Sequence, residues 1–325
     1  MTEINIIQAV NQALMQEMER DENVLVLGED VGIDGGVFRA TEGLLKKFGS
    51  DRVIDTPLSE SGIVGTSIGM AVYGLKPIAE IQFSGFIYAG FDQLISHAAR
   101  IRNRSRGRFT CPLVVRTPYG WVSRGLEHHE ESMEAIFVHT PGLKVVIPST
   151  PYDAKGLLIS AIRDPDPVIF FEPLRLYRAF KQEVPDENYS VPIGKANTLR
   201  EGKDVTLITF GAMMPTVVKV ADMLKKENIS AEVIDLRTVS PLDYDAIINS
   251  VKKTGRCVVV HEAPKTCGLG AEISALIIEK VLLYLEAPVI RVAGFDTIVP
   301  LAKLEKYYIP DENKILREVR NIMRY

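Results

Sequence analysis

Residues 124–132, RGLEHHEES, place two of the chain's five histidines beside three glutamates. An imidazole flanked by carboxylates can titrate near neutrality and carry a proton. Zinc fits less well: adjacent histidines point to opposite sides of an extended backbone and diverge by about 100 degrees on a helix. The HExxH spacing also fails, because Ser132 and Met133 stand where a second histidine is needed. An acid/base role needs only one of His128 and His129, spacing does not choose between them, and a solvated loop is the alternative. In DTPLSESG, Glu60 follows a proline-containing loop and begins a glycine-spaced helical stretch. A carboxylate there lies where open parallel sheets bind ligands, while Ser59 as helix cap with Glu60 on the helix dipole accounts for the same residues. LGEDVG offers Glu29 and Asp30 at another strand end. In EIQFSGFIYAGFDQ, Phe83, Phe86 and Tyr88 can stack on a planar heterocycle and Gln82 can hydrogen-bond it, with core packing as the competing reading. Asp164 and Asp166 in AIRDPDP make an oxygen-rich turn that suits a hard cation or an Asx turn. RIRNRSRGR carries five arginines in nine residues, without interleaved aromatics, and faces solvent or an acidic partner. HEAPKTCGLG sets His261, Glu262 and Cys267 before a glycine turn that reads as a helix entry rather than a nucleophile site.

The elements that must hold these residues alternate. NVLVLGED, RVIDTPLSE, KPIAEIQF, CPLVVRTP, GLKVVIPS and DPVIFFEP are short apolar runs behind turns, with helical spacing between them, as in GFDQLISHAARIR. That pattern predicts a parallel sheet covered on both faces. A polar, proline-punctuated stretch over residues 181–203 predicts a linker, possible short strands within it, between a domain at residues 1–180 and a second at residues 204–325. The second block repeats the alternation: DVTLITFGA, SAEVIDLRT, GRCVVVHEA and APVIRVAG, with helices from Pro215 to Lys226, over residues 243–253 and over residues 271–285. The fold class is therefore α/β with two parallel-sheet domains. GIVGTSIG follows a proline loop without a placeable ribose-binding acid, and no lysine-bearing phosphate loop occurs, so a mononucleotide or dinucleotide site is disfavoured.

Composition excludes other classes. The chain has 325 residues, 46% hydrophobic and 25% charged, and a formal charge of -4, which argues against nucleic acid and membrane surfaces as partners. Cys111, Cys257 and Cys267 form no framework, which fits reduced thiols in a cytoplasmic compartment. Neither a secretory leader nor a membrane span is legible.

Taken in order, GEDVG, DTPLSESGIVG, AEIQFSGFIYAGFDQ, HHEESMEAIFVHTPGLKVVIP, AKGLLISAIRDPDPVIFFEP, AEVIDLRTVSPLD and HEAPKTCGLGAEI closely resemble the beta subunit of the thiamin-diphosphate-dependent E1 component of 2-oxoacid dehydrogenase complexes. YRA, EVIDLRT and HEAP look most like the branched-chain type. The resemblance implies a transketolase-like pyrimidine-binding domain followed by a transketolase-type C-terminal domain. It implies an alpha2beta2 heterotetramer with a beta–beta contact, in which the alpha subunit holds Mg and the diphosphate through a GDG motif that this chain lacks. Oxidative decarboxylation of a 2-oxoacid follows, branched-chain acids being favoured and pyruvate retained, with acyl transfer to the lipoyl-bearing E2. A carboligase of transketolase type is the rival enzyme and a scaffolding subunit with a vestigial pocket the rival outside enzymology. Glu60 matches the glutamate that hydrogen-bonds the aminopyrimidine ring and favours its imino tautomer. Phe86 matches the ring-packing position, Gln82 the position where the branched-chain type has glutamine, and Glu29 lies near the same pocket. His129, ten residues before His139, matches the histidine at the active-site mouth that serves acyl transfer, and His128 carries no implied role. Leu113, Ala161, Ile162, Asp164 and Asp166 match positions around a structural potassium ion.

Overall fold

Six apolar runs pair side by side in the computed structural model, which describes residues 1–325. Counting from β1 (Thr2–Ile4), these are β2 (Val24–Gly28), β3 (Val53–Asp55), β4 (Lys76–Glu80), β5 (Val114–Tyr119), β6 (Lys144–Val146) and β7 (Val168–Pro173). They run parallel in the order β6-β7-β5-β4-β2-β3. Every residue of β2, β5 and β7 is buried, which is why these runs show no polar alternation. The helices Ile6–Arg20 and Pro151–Arg163 pack together on one face, with Leu14, Leu157 and Leu158 in the core. The second of them starts as its sequence dictates: Pro151 occupies the first turn and the Thr150 hydroxyl accepts the Asp153 N–H at 3.1 Å. The helix Glu60–Tyr73 buries Ile63, Val64 and Ile68 on the other face, each contributing roughly 1.5–3 kcal/mol. Ser59 caps it through the Gly62 N–H at 3.3 Å, and Gly74, at φ 110, ends it.

The remaining strands are β8 (Gln182–Val184), β9 (Asn197–Arg200), β10 (Val205–Thr209), β11 (Ala231–Asp235), β12 (Thr238–Ser240), β13 (Cys257–Pro264) and β14 (Ile290–Gly294). A second sheet has the order β14-β13-β10-β11-β9, parallel except for β9 at its edge. Around it lie the helices Met214–Lys226, Tyr244–Thr254 and Leu269–Val281, close to the bounds that periodicity predicts. No helix is long and apolar enough to cross a membrane.

The two halves are joined through shared strands. The polar stretch over residues 181–203 holds the short strands allowed for there, β8, which pairs antiparallel with β1, and β9. β12 leaves the second half and pairs antiparallel with β6 as a seventh strand of the first sheet. One apolar core therefore runs from Ile169 and Phe171 to Phe210 and Leu236. The run GFDQLISHAARIR is not one helix: a π turn at Gln93–His97 passes through a 3-10 turn at Ala98–Arg100 into the short helix Ile101–Arg104. After the histidines, the chain forms the short helix Glu134–Val138.

Candidate active site

The parallel strands end at one edge of the first sheet, and the chemistry-bearing residues follow those ends. Glu29 comes directly after β2, Gln82 two residues after β4, and Glu60 opens the helix that follows β3. Glu60 is only 8% exposed, and it caps nothing itself: Ser59 does that, leaving the carboxylate free for the pocket. Burial first, then the nearby Glu60 and Asp30 carboxylates, raises Glu29 above the usual glutamate range. Gln82 donates through Nε2 to Asp30 Oδ2 at 2.9 Å. Asp55, at the end of β3, accepts the N–H groups of Gly32 at 2.6 Å and Ile33 at 3.0 Å, and so fixes the loop that carries Glu29.

An aromatic cluster adjoins this edge. The 3-10 turn Glu127–His129 sends its two histidines to different surroundings, which spacing alone could not decide. The His129 ring lies edge-on to Phe83 at 4.3 Å and to Phe86 at 5.2 Å, and its buried Nδ1 has no hydrogen-bond partner. The exposed His128 lies 5.5 Å from Phe86 and 6.4 Å from Tyr88. The structure thus brings Phe86 and His129 together and joins Glu29 to Glu60. No group of three His, Cys, Asp or Glu side chains is arranged to hold a metal.

Buried charge supports the site from behind. Arg116, in the middle of β5, donates from Nε and Nη2 to Glu172 at 2.7 and 3.1 Å and from Nη1 to Glu80 at 2.7 Å. The Tyr177 hydroxyl adds a bond to Glu172 at 2.6 Å. With two carboxylates on one guanidinium, burial raises Glu80, and Arg116 opposes the shift. The network ties β4, β5 and β7 together. Its one sequence signal is an arginine inside the otherwise apolar CPLVVRTP, which the sequence reading passed over.

A further group of acids lies between the two halves. Glu130 is only 2% exposed, and burial together with Glu305 pushes it up to about 7. Burial also pushes Glu134 up to about 7 against a hydrogen bond of 2.5 Å from the Tyr119 hydroxyl. Glu262, at the end of β13, is raised by burial and faces Arg175 at 3.2 Å. Their partners are distant in sequence, so no local pattern announced them.

Leu113, Ala161 and Ile162 are buried near the turn that carries Asp164 and Asp166. Lys144 Nζ sits 2.6 Å from both Asp164 oxygens and 3.8 Å from Asp166, which also takes Arg102 Nε at 2.6 Å. Those carboxylates are already neutralised, so a cation at this turn would have to draw on main-chain carbonyls. A cavity of about 630 Å³ lined by Arg102, Arg106, Lys144 and Asp166 adjoins this turn rather than Glu60. His261, anticipated beside a helix entry, is fully buried, stacks on Phe210 at 6.5 Å and is pushed down to about 4 by burial.

The donor set at the sheet edge suits the pyrimidine half of thiamin diphosphate: a buried carboxylate for a ring nitrogen, aromatic rings for its faces, and a buried imidazole nitrogen with no partner in the chain. Comparison with known proteins agrees. Residues 2–179 match the family described as transketolase, pyrimidine binding domain, and residues 194–315 match transketolase, C-terminal domain. The chain is 54% identical to a pyruvate dehydrogenase E1 component subunit beta from Acholeplasma laidlawii, over 99% of this chain and 98% of that one. It is 53% identical to the subunit of that name from Bacillus subtilis, over the whole of both chains, and 50% to that from Staphylococcus aureus. A solved structure described as a split gene transketolase, inactive beta4 tetramer, shares the fold with a TM-score of 0.80 at 22% identity, covering 99% of each chain. The relatives overturn the branched-chain resemblance drawn from YRA, EVIDLRT, HEAP and Gln82. In the structure, those residues serve the fold. Arg178 binds the Phe38 carbonyl at 2.9 Å, Arg237 pairs with Asp153 at 2.7 Å, and Gln82 is turned to Asp30.

Proposed function

The chain belongs to the E1 beta-subunit family of thiamin-diphosphate-dependent 2-oxoacid dehydrogenases, and on that premise we propose that it acts on pyruvate. The reaction is oxidative decarboxylation with transfer of the acetyl group to the lipoyl group of an E2 component. What supports the reading is two neighbouring pairs on the loops that follow the strands, Glu29 with Glu60 and Phe86 with His129. Relatives that are half identical and named for pyruvate support the substrate.

Thiamin diphosphate, when bound, supplies the nucleophilic carbon and the electron sink for decarboxylation. Glu60 would hold a proton at the pyrimidine ring nitrogen. Glu29, whose carboxyl is raised by burial and by its neighbour Glu60, lines the same edge. Phe86 packs against the ring, and Gln82, braced by Asp30, closes the pocket rim. His129, half-buried with a free Nδ1, orients the acyl group and handles a proton during its transfer. Mg and the diphosphate are assigned to an alpha subunit, in an alpha2beta2 enzyme with a beta–beta contact, and this chain is active only with that partner. A structural potassium ion would rest on the carbonyls of Leu113, Ala161, Ile162, Asp164 and Asp166. Free thiols at the buried Cys111 and Cys257 support a cytoplasmic setting.

The test is reconstitution with the alpha subunit, Mg and thiamin diphosphate, followed by decarboxylation of a substrate panel. Pyruvate is expected to outrun 3-methyl-2-oxobutanoate, and the reverse ranking would overturn the substrate assignment. Glu60→Gln should slow decarboxylation, and His129→Ala should reduce lipoyl acylation more than decarboxylation. An equal loss from His128→Ala would show that the wrong neighbour was chosen.

A further inference from the structure

The loop carrying His129 is gripped by carboxylates from both halves of the chain. Glu305, which opens the short helix Glu305–Tyr308, accepts the Ser123 hydroxyl at 2.9 Å on one oxygen and the Arg124 N–H at 3.0 Å on the other. Arg124 is at φ 65, a left-handed conformation that a non-glycine residue keeps only where its surroundings impose it. Glu130 folds back under the same loop against Gly125, and its buried Oε1 has no hydrogen-bond partner. The residue next to it is His129, seated on Phe83 and Phe86.

We infer that Glu305 and Glu130 are positioning residues for His129: Glu305 anchors the loop from the C-terminal half, and Glu130 closes it from beneath. The inference rests on the assignment of His129 to acyl transfer. The groups facing Glu130 are nearly all acidic. They are Glu305 from its helix, Glu262 from the end of β13 and Glu127 from its own loop. Of the nearby cations, Arg175 lies 3.2 Å from Glu262 and 5.2 Å from the Trp121 ring, and the Arg124 side chain acts on Glu305. On the far side of the loop, Glu131 is influenced by His128 and Tyr88, and Glu134 by Tyr119 and Glu262. The Arg124 N–H, with Ser123, holds Glu305 below the usual carboxylate range, whereas burial and Glu305 itself push Glu130 up to about 7. Two carboxylates of one site are thus driven apart, one lowered and one raised. As pH rises through the Glu130 value, a second negative charge forms beside Glu305 and Glu262. The loop loosens, and His129 leaves its seat on Phe83.

The experiment uses the assembled alpha2beta2 enzyme with thiamin diphosphate, Mg and a free lipoyl domain. Lipoyl acylation and decarboxylation with an artificial electron acceptor are both followed from about pH 6 to about pH 9. The wild type should lose acylation, but not decarboxylation in parallel, above about pH 7, and Glu130→Gln, neutral at every pH, should keep it. Glu305→Ala should lower acylation about tenfold while decarboxylation falls far less, which also reports that the variant is assembled. Should Glu305→Ala fail to assemble, Glu305→Gln, which keeps one acceptor oxygen, takes its place with the same expected split. Overlapping pH profiles for wild type and Glu130→Gln, or equal losses in both reactions at Glu305, would overturn the inference. His129→Ala is run alongside. If it leaves acylation intact, the assignment of His129 has failed; if it abolishes acylation while Glu130→Gln matches wild type, only the positioning inference has failed.

Discussion

Replacing Glu134 by glutamine should make the chain's stability less sensitive to pH, by an amount its surroundings set. Glu134 is fully buried at the start of its helix, with one oxygen on the Tyr119 hydroxyl and the other without a partner. Burial pushes its carboxyl from the ordinary 4.5 up to about 7. The folded state therefore holds a proton that the unfolded chain releases sooner. This contribution to stability is complete below the unfolded value and is lost as pH rises through the folded one. At about 1.4 kcal/mol for each pKa unit, the interval amounts to about 3 kcal/mol between about pH 5 and about pH 8. In Glu134→Gln, the side-chain carbonyl still accepts from Tyr119 and nothing titrates. Glu130 and Asp235, also pushed up to about 7, tilt the stability of wild type and variant alike, so the difference between the two isolates Glu134. Urea unfolding can be followed through the single tryptophan, Trp121. The variant should gain on wild type by up to about 3 kcal/mol from about pH 5 to about pH 8, and parallel curves would refute a neutral Glu134.

Arg116→Met should destabilise the chain by about 3–5 kcal/mol, because Glu80 and Glu172 would then face each other without a cation; a urea midpoint close to wild type would count against the network. Gly85→Ala would drive a methyl group into the His128 carbonyl and Nδ1, so lipoyl acylation should fall about tenfold with the chain still folded, and unchanged acylation would show that the turn can yield. Asp55→Asn leaves one of the Gly32 and Ile33 N–H groups without its acceptor, which should cost about 1–2 kcal/mol and weaken thiamin diphosphate binding by calorimetry with the alpha subunit; unchanged affinity would detach this loop from the pocket.

The strands were legible because burial on both faces demands unbroken apolar runs, and β2, β5 and β7 are buried throughout. Glu60 was legible by position, since a strand, a proline loop and a capped helix can place the first helical residue in only one region. Which histidine packs on Phe83 was not, because it depends on how a three-residue 3-10 turn is rotated. Glu305 was out of reach for another reason: its partners Ser123 and Arg124 lie more than a hundred residues away, where no period or cap marks the contact. The branched-chain reading failed at Arg178 and Arg237 because both side chains are spent on carbonyl and carboxylate contacts of the scaffold and do not report on substrate.

The strand that β12 lends to the first sheet has a consequence for how the chain is made. Until Thr238–Ser240 has left the ribosome, β6 presents an open row of N–H and C=O groups. A fragment stopping in the stretch over residues 181–203 would keep that edge bare and stick to its own kind. One shared sheet thus spans both halves, so a gene divided between them should give a first piece that needs the second to cover β6.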